Sequence, residues 1–194
     1  MTEKKFKVAE LISTFFYIGK SKICPGTMGS IATLPLIILF LIFRQFVYDN
    51  LHFNICPIIT LPLLIIFLFF IGYYFTKVYL EKTKQDDPKE VVIDEVVGQL
   101  ISYTISLFSY VFLVKGTNVD KLFQQSHPYI LYTILLIMPI VLFRIFDITK
   151  PLFIGWIDKN IKNAYGVMLD DVVAGICAGI VNLILILSLI KIFF

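Results

Sequence analysis

The sequence predicts an all-α membrane protein: a polytopic bundle of four or five spanning helices plus short interfacial helices, in one domain over residues 1–194. Three observations predict it. The chain is 58% hydrophobic, with a mean hydropathy of +0.87. Only 16% of it is charged, against about a quarter in soluble domains. Several apolar runs reach the ~20 residues that a helix needs to cross a bilayer.

Five runs are candidate spans. They are, roughly, 30–48 (SIATLPLIILFLIFRQFVY), 55–75 (ICPIITLPLLIIFLFFIGYYF), 96–114 (VVGQLISYTISLFSYVFLV), 129–147 (YILYTILLIMPIVLFRIFD) and 172–194 (VVAGICAGIVNLILILSLIKIFF). The third is the most polar and is expected inside the bundle. Pro35, Pro62 and Pro139 are expected to kink their helices, which a bundle tolerates when neighbours satisfy the freed carbonyls. Two shorter segments read as interfacial. One is FKVAELISTFF near the start. In the other, PLFIGWIDKNIKN, Phe153, Trp156, Ile157 and Ile161 share a helical face and the only Trp suits a headgroup-level anchor. The basic start of the chain is broken by Glu10 and lacks a small-residue cleavage site, so no removable signal peptide is expected. Cys24, Cys56 and Cys177 form no C-x-x-C pair, so neither a disulfide framework nor a zinc site is indicated.

Orientation follows from the basic residues. With five spans and the N-terminus inside, only Arg44, Lys115, Lys121 and Lys191 of the seventeen Lys and Arg fall outside. The positive-inside rule then predicts N-in, C-out. This places the motif stretches below on the cytoplasmic face of the membrane. The lipid bilayer is the expected environment, no nucleic-acid partner is expected, and the sequence names no protein partner.

Four stretches carry the chemistry. In DDPKEVVIDEVVGQL, residues 86–100, five carboxylates crowd into ten residues beside an apolar run: Asp86, Asp87, Glu90, Asp94 and Glu95. Asp87, Pro88 and Glu90 read as an N-cap, a first helical Pro and a capping-box acid. Asp94 and Glu95 have no such structural role. Asp87 and Asp94, seven apart, would share a helical face. Converging carboxylates repel and lose hydration unless a cation lies among them, and a hard divalent ion such as Mg²⁺ fits oxygen ligands. In GVMLDDVVAG, residues 166–175, Asp170 and Asp171 open another apolar helix, with Gly166, Gly175 and Gly179 permitting close approach. In FRIFDITKP, residues 143–151, Arg144, Asp147 and Lys150 recur every third residue before Pro151. They read as a helix-end charge set or as an anion clamp, with Arg144 and Lys150 on phosphate and Asp147 in support. In GKSKICPGTMGSIATLP, residues 19–35, a Gly-rich turn before a helix offers Gly26, Thr27, Gly29 and Ser30 to a phosphate. Eight of the fourteen acids (Asp86, Asp87, Glu90, Asp94, Glu95, Asp147, Asp170, Asp171) fall in these stretches.

Carboxylates for a metal, cations and a Gly-rich turn for a phosphate suggest metal-assisted phosphoryl chemistry on a lipid headgroup. Other phosphatase chemistries are not matched. A cysteine phosphatase needs Arg six residues after its Cys, and Ser30 stands there after Cys24. The only histidines, His52 and His127, fall in predicted outside loops. Neither an Asp-x-Asp-x-Thr/Val motif nor the Asp-Gly…Ala-Arg…Asp…Asp signature of CDP-alcohol phosphotransferases is present. A divalent-cation or proton-coupled carrier could use the same acids. The apolar runs are nearly free of acids, however, and the motifs cluster at one face, which favours an enzyme.

In their order along the chain, GKSKICPGTMGS, DPKEVVIDEVVGQ, FRIFDITKP and GVMLDDVVAG resemble the phosphatidylglycerophosphatase A family of bacteria. The resemblance implies an Mg²⁺-dependent membrane phosphatase that converts phosphatidylglycerophosphate to phosphatidylglycerol in phospholipid biosynthesis. It places the family's acids on Asp87, Asp94, Glu95, Asp147, Asp170 and Asp171, and its basic pair on Arg144 and Lys150. Glu90 lies outside that pattern. Phe153 stands where the family often has a second Pro, and NAY stands where it often has a Gly pair. The resulting expectation is a metal set of Asp87, Asp94, Glu95, Asp170 and Asp171, with Asp94, Glu95 and Asp171 also catalytic. Water attack and a carboxylate nucleophile are both compatible with such a site. A different lipid phosphate as substrate remains the alternative.

Overall fold

A computed structural model describes residues 2–52, 57–85, 87–116, 121 and 128–193. Asp86, Cys56 and His127 lie outside the described residues. The helices are α1 (Glu3–Ser13), α2 (Pro25–Leu51), α3 (Pro57–Thr83), α4 (Ile93–Leu113), α5 (Pro128–Tyr132), α6 (Met138–Thr149), α7 (Phe153–Asn160) and α8 (Ala164–Phe193), with no strand among the described residues. Four of them, α2, α3, α4 and α8, are long and apolar enough to cross a membrane. Even α4, with 21 residues, reaches about 30 Å at ~1.5 Å per residue, the thickness of a bilayer's hydrocarbon core.

Burial separates the spans. Over half of the most apolar stretch of α4 is buried, more than in any other span. The polar third run is thus the centre of the bundle, as its composition predicts. Ile42 and Phe43 of α2 and Phe67 and Phe70 of α3 are exposed. These helices turn their apolar surface to where lipid tails would lie.

The fourth predicted span is a helix with a changed register. A π-helical turn, Thr133–Ile137, joins α5 to α6 just before Pro139. Both a π turn and a helical proline free backbone carbonyls. Three side chains donate to carbonyls around this turn: Tyr103 to Leu136 at 3.1 Å, Ser102 to Pro139 at 3.3 Å, and Asn182 to Ile134 at 2.9 Å. Polar residues of α4 and α8 therefore brace the irregular turn of the adjoining helix. Pro35 and Pro62, by contrast, lie within continuous helices.

Three helix starts differ from expectation. The first span begins at Pro25, so the Gly-rich stretch forms the opening turns of α2 instead of a loop before it. Pro25 is preset for a first helical turn, and Cys24 precedes it with a left-handed φ of 44°. Helix α4 begins at Ile93 and not near Pro88. Residues 88–92 are instead turned and tethered, with Val91 N–H donating to Pro88 at 2.9 Å and Val92 N–H to Ser13 at 3.0 Å. Asp87 is thus no N-cap of α4 and shares no helical face with Asp94. Glu90 is no capping-box acid; it accepts a hydrogen bond from the Tyr79 hydroxyl at 2.7 Å. Tertiary bonds to α1 and α3 outweigh the local helix signal here. The last span also starts early, at Ala164, which sets Asp170 and Asp171 inside α8 and not at its mouth.

The segment 151–163 contains a short helix, α7, with a different buried face from the one expected. Ile154 and Ile157 of α7 are buried, while Leu152, Phe153 and Trp156 are exposed, the two aromatic rings stacked 5.7 Å apart. Helix α1 lies against α3, where Phe6 stacks on Tyr79 at 5.7 Å.

Candidate active site

The site forms where α4 and α8 cross. A Cβ at Gly175 would strike the Gly98 carbonyl oxygen, and one at Gly98 would strike that of Asp171. Only glycines let the two backbones touch here. The contact brings Asp94 and Glu95, in the first turn of α4, against Asp170 and Asp171 of α8. Above them opens a cavity of about 330 Å³, whose walls include the start of α2, the end of α6 and Asp158 of α7.

Its floor is acidic. One carboxylate oxygen each from Asp94, Glu95 and Asp171 lie within 4.8 Å of one another. Asp94 and Asp171 are nearly buried, at 6% and 4% exposure. The second oxygen of Glu95, Oε2, is buried with no hydrogen-bond partner. Three carboxylates gathered away from water repel one another and lose hydration, costs that a cation among them would offset. The orphaned oxygen and the all-oxygen donor set fit a hard divalent ion.

A guanidinium borders the floor. Arg144 Nη1 lies 2.5 Å from Asp147, one turn on along α6, and 4.0 Å from Glu95. Arg144 is thus paired with Asp147 through Nη1, and its buried Nε has no partner. Gly26 is what leaves room for this: a Cβ there would strike Glu95 Oε1 and come within 3.2 Å of both terminal nitrogens of Arg144.

Lys150 caps α6 in a left-handed conformation, φ 41°. Its ammonium donates to Asp158 and Asp170, both at 2.7 Å. Burial opposes its charge, but the two hydrogen bonds prevail and raise its pKa above the ordinary lysine value. The same bond, working against partial burial, lowers the pKa of Asp158. Lys150 is therefore a fixed charge locking α6, α7 and α8 together.

The structure brings most of the expected residues to one cavity: Asp87, Asp94, Glu95, Asp170, Asp171, Arg144, Lys150, Asp147 and Thr27 all line it. It sorts their places. Asp87 is exposed at the rim, and Asp170 is engaged by Lys150, so neither belongs to the three-carboxylate group. Gly29 and Ser30 are not brought to the cavity. Gly29 packs on Val92, and the buried Ser30 hydroxyl donates to the Gly26 carbonyl at 3.0 Å. Gly26, in the first turn of α2, does face the site; Gly29 and Ser30 lie one turn further along the same helical face, beneath it. Asp158 is the residue that sequence reasoning missed. It sat on the polar side of an amphipathic segment and carried no local signal of pairing with Lys150.

Clustered carboxylates beside an arginine, among helices long and apolar enough to cross a membrane, fit a membrane-embedded enzyme of phosphate-ester chemistry. A family model described as phosphatidylglycerophosphatase A matches residues 11–186, and the chain belongs to that family. It is similar to phosphatidylglycerophosphatase A of Escherichia coli (strain K12), with 29% identity over 90% of this chain and 81% of that one. It is also similar to a Bacteroides thetaiotaomicron protein provisionally named a phosphatidylinositol-3-phosphatase, with 32% identity over 86% of each. A 40-residue segment is 52% identical to phosphatidylglycerophosphatase A of Haemophilus influenzae, covering 21% of this chain and 24% of that one. No solved structure matches the chain. The chain is thus a phosphatase of phospholipid metabolism, an enzyme and not a carrier.

Proposed function

We propose that the protein hydrolyses the phosphomonoester of phosphatidylglycerophosphate, giving phosphatidylglycerol and inorganic phosphate, with Mg²⁺ as cofactor. The observation that carries this is the buried Asp94–Glu95–Asp171 group beside the Arg144 guanidinium in one cavity. Those three carboxylates would hold the ion. When bound, Mg²⁺ supplies Lewis-acid polarisation of the phosphoryl group and lowers the pKa of water.

The chain's own residues do the rest. The Arg144 guanidinium supplies positive charge and N–H donors to phosphoryl oxygens, and Asp147 fixes its plane through Nη1. The start of α2 adds backbone N–H groups at Gly26 and Thr27. Lys150 holds Asp170 aside and contributes positive charge to the wall. One floor carboxylate accepts a proton from the attacking water. The water oxygen bonds to phosphorus as the P–O ester bond breaks, and the carboxylate passes its proton to the departing glycerol oxygen. We place the site on the cytoplasmic face of a bacterial inner membrane, with residues 128–149 as a fifth crossing. The excess of Lys and Arg on that side under five spans supports this orientation.

A second substrate reading, phosphatidylinositol 3-phosphate, is favoured by the Bacteroides relative's provisional name and its match over most of both chains. Phosphate release by the purified protein from a panel of lipid phosphates, with Mg²⁺ or with chelator, separates the two. Phosphatidylglycerophosphate should be cleaved fastest and only with the metal. Faster cleavage of the inositol lipid would assign the second reading.

A further inference from the structure

The floor of the cavity lies at the depth of lipid-facing surface. A Cβ at Gly72 of α3 would meet Ile93 of α4 and Met168 of α8. Ile93 adjoins Asp94, and Met168 lies one turn before Asp171. The carboxylates are therefore level with the Gly72 turn of α3. On the outer face of α3 around that turn, Phe70 and Tyr74 are exposed, and the next cation along the helix is Lys77. Lys77 lies about 7 Å beyond Gly72 along the helix axis, at ~1.5 Å per residue. Lipid around α3 thus reaches close to the depth of the floor.

An apolar stripe leads to the cavity at this depth. On α6, Val141, Ile145 and Ile148 are exposed at steps of four and three, one face of the helix. The stripe continues into Leu152, which is 95% exposed at a positive φ of 48°, and into the stacked rings of Phe153 and Trp156 on α7. Contiguous exposed apolar surface of this kind marks contact with a membrane or an apolar ligand. Ile148 also lines the cavity, as does Pro25 at the start of α2. It belongs at once to the lipid-facing stripe and to the wall of the site.

A diacyl lipid can bring its phosphate to a floor at this depth, and keep its chains in the bilayer, by approaching from the side. Resting on the reading of the chain as a lipid phosphatase, we infer that the substrate enters the cavity laterally from the bilayer, between the start of α2 and the end of α6. The diacylglycerol part of the substrate is the occupant of the stripe and lies against Ile148 and Leu152. Phe153 and Trp156 hold α7 at headgroup level as the lip of this entrance.

The kinetic test compares wild type, Ile148→Ser, Leu152→Ser and Ile184→Ser. Ile184 is an exposed apolar residue of α8 that does not line the cavity. KM and kcat are measured in mixed micelles on dioleoyl phosphatidylglycerophosphate and in solution on its deacylated counterpart. Ile148→Ser and Leu152→Ser should each raise KM for the diacyl lipid about fivefold, as an apolar contact with the chains is lost. Their kcat should stay within about twofold, since neither side chain touches a reacting atom. KM for the deacylated substrate, or its Ki as a competitor, should not change, which also shows that the variants fold. Ile184→Ser should match wild type throughout. An unchanged KM for the diacyl lipid, an equal rise on the deacylated substrate, or an equal rise in Ile184→Ser would overturn the entrance. Trp156, the only Trp, supplies a second readout. In vesicles of phosphatidylcholine brominated along its acyl chains, its fluorescence should be quenched most by the bromines nearest the headgroup. The Trp156→Phe/Ile148→Trp protein should be quenched as well. If no lipid phosphate is hydrolysed, the lipid-phosphatase reading fails separately, and quenching still decides: quenching at both positions upholds a lipid-facing entrance, and its absence at either removes it.

Discussion

Gly26 and Glu95 share a space that holds only one of them plus a hydrogen. A Cβ at Gly26 would strike Glu95 Oε1. The obstacle is the far end of a side chain, so the fold can adapt where the site cannot. Gly26→Ala should keep its unfolding temperature within a few degrees and lose roughly tenfold to a hundredfold in kcat, since displacing a catalytic group by ~1 Å costs about that much. Thermal unfolding and steady-state kinetics on the same preparation check both halves.

Gly175→Ala should behave in the opposite way. The added carbon would meet the Gly98 carbonyl, which is backbone and cannot swing aside. Pushing α4 from α8 should cost about 1–3 kcal/mol of stability. A clear drop in apparent unfolding temperature in detergent is the expected reading, with activity falling as a consequence.

The sequence made the bundle legible because lipid-facing helices are nearly uniform apolar runs. The residues of the site were legible because acids beside such runs are costly unless used. What it hid was tertiary. Asp87, Pro88 and Glu90 spell a helix start, yet Val92 N–H bonds to Ser13 and Tyr79 holds Glu90, so the helix begins at Ile93. Gly29 and Ser30 read as a phosphate loop, yet a helix that starts at Pro25 turns them into the core. The Lys150–Asp158 bond joins two helices across Pro151, and no periodicity announces it.

That bond makes a graded prediction. Lys150→Met leaves Asp170, whose side chain is 8% exposed, without its counter-charge. It should cost about 3 kcal/mol of stability, the lower end for breaking a buried pair. Asp158→Asn leaves Lys150 on Asp170 and removes a more exposed carboxylate, so about 1 kcal/mol or less is expected. Chemical or thermal unfolding in detergent should rank the two in that order.

Arg144→Lys tests whether the guanidinium acts by shape or by charge. It keeps the positive charge near Asp147 but loses the planar fork and its buried Nε donor. Turnover should fall about a hundredfold, as when an oxyanion donor is removed. Turnover like wild type would make Arg144 a helix-end cation only.

The most direct measurement is phosphate release from phosphatidylglycerophosphate by purified Asp94→Asn and Asp171→Asn proteins, with Mg²⁺ and with chelator, beside Glu90→Gln. Glu90 bonds Tyr79 away from the cavity lining, so its variant is a control for local disturbance. Wild type and Glu90→Gln should release phosphate only with the metal. Each aspartate variant should insert and fold but lose at least about a hundredfold, because a charged contributor to metal-assisted catalysis is gone. Full Mg²⁺-dependent turnover by Asp94→Asn or Asp171→Asn would contradict a three-carboxylate catalytic floor.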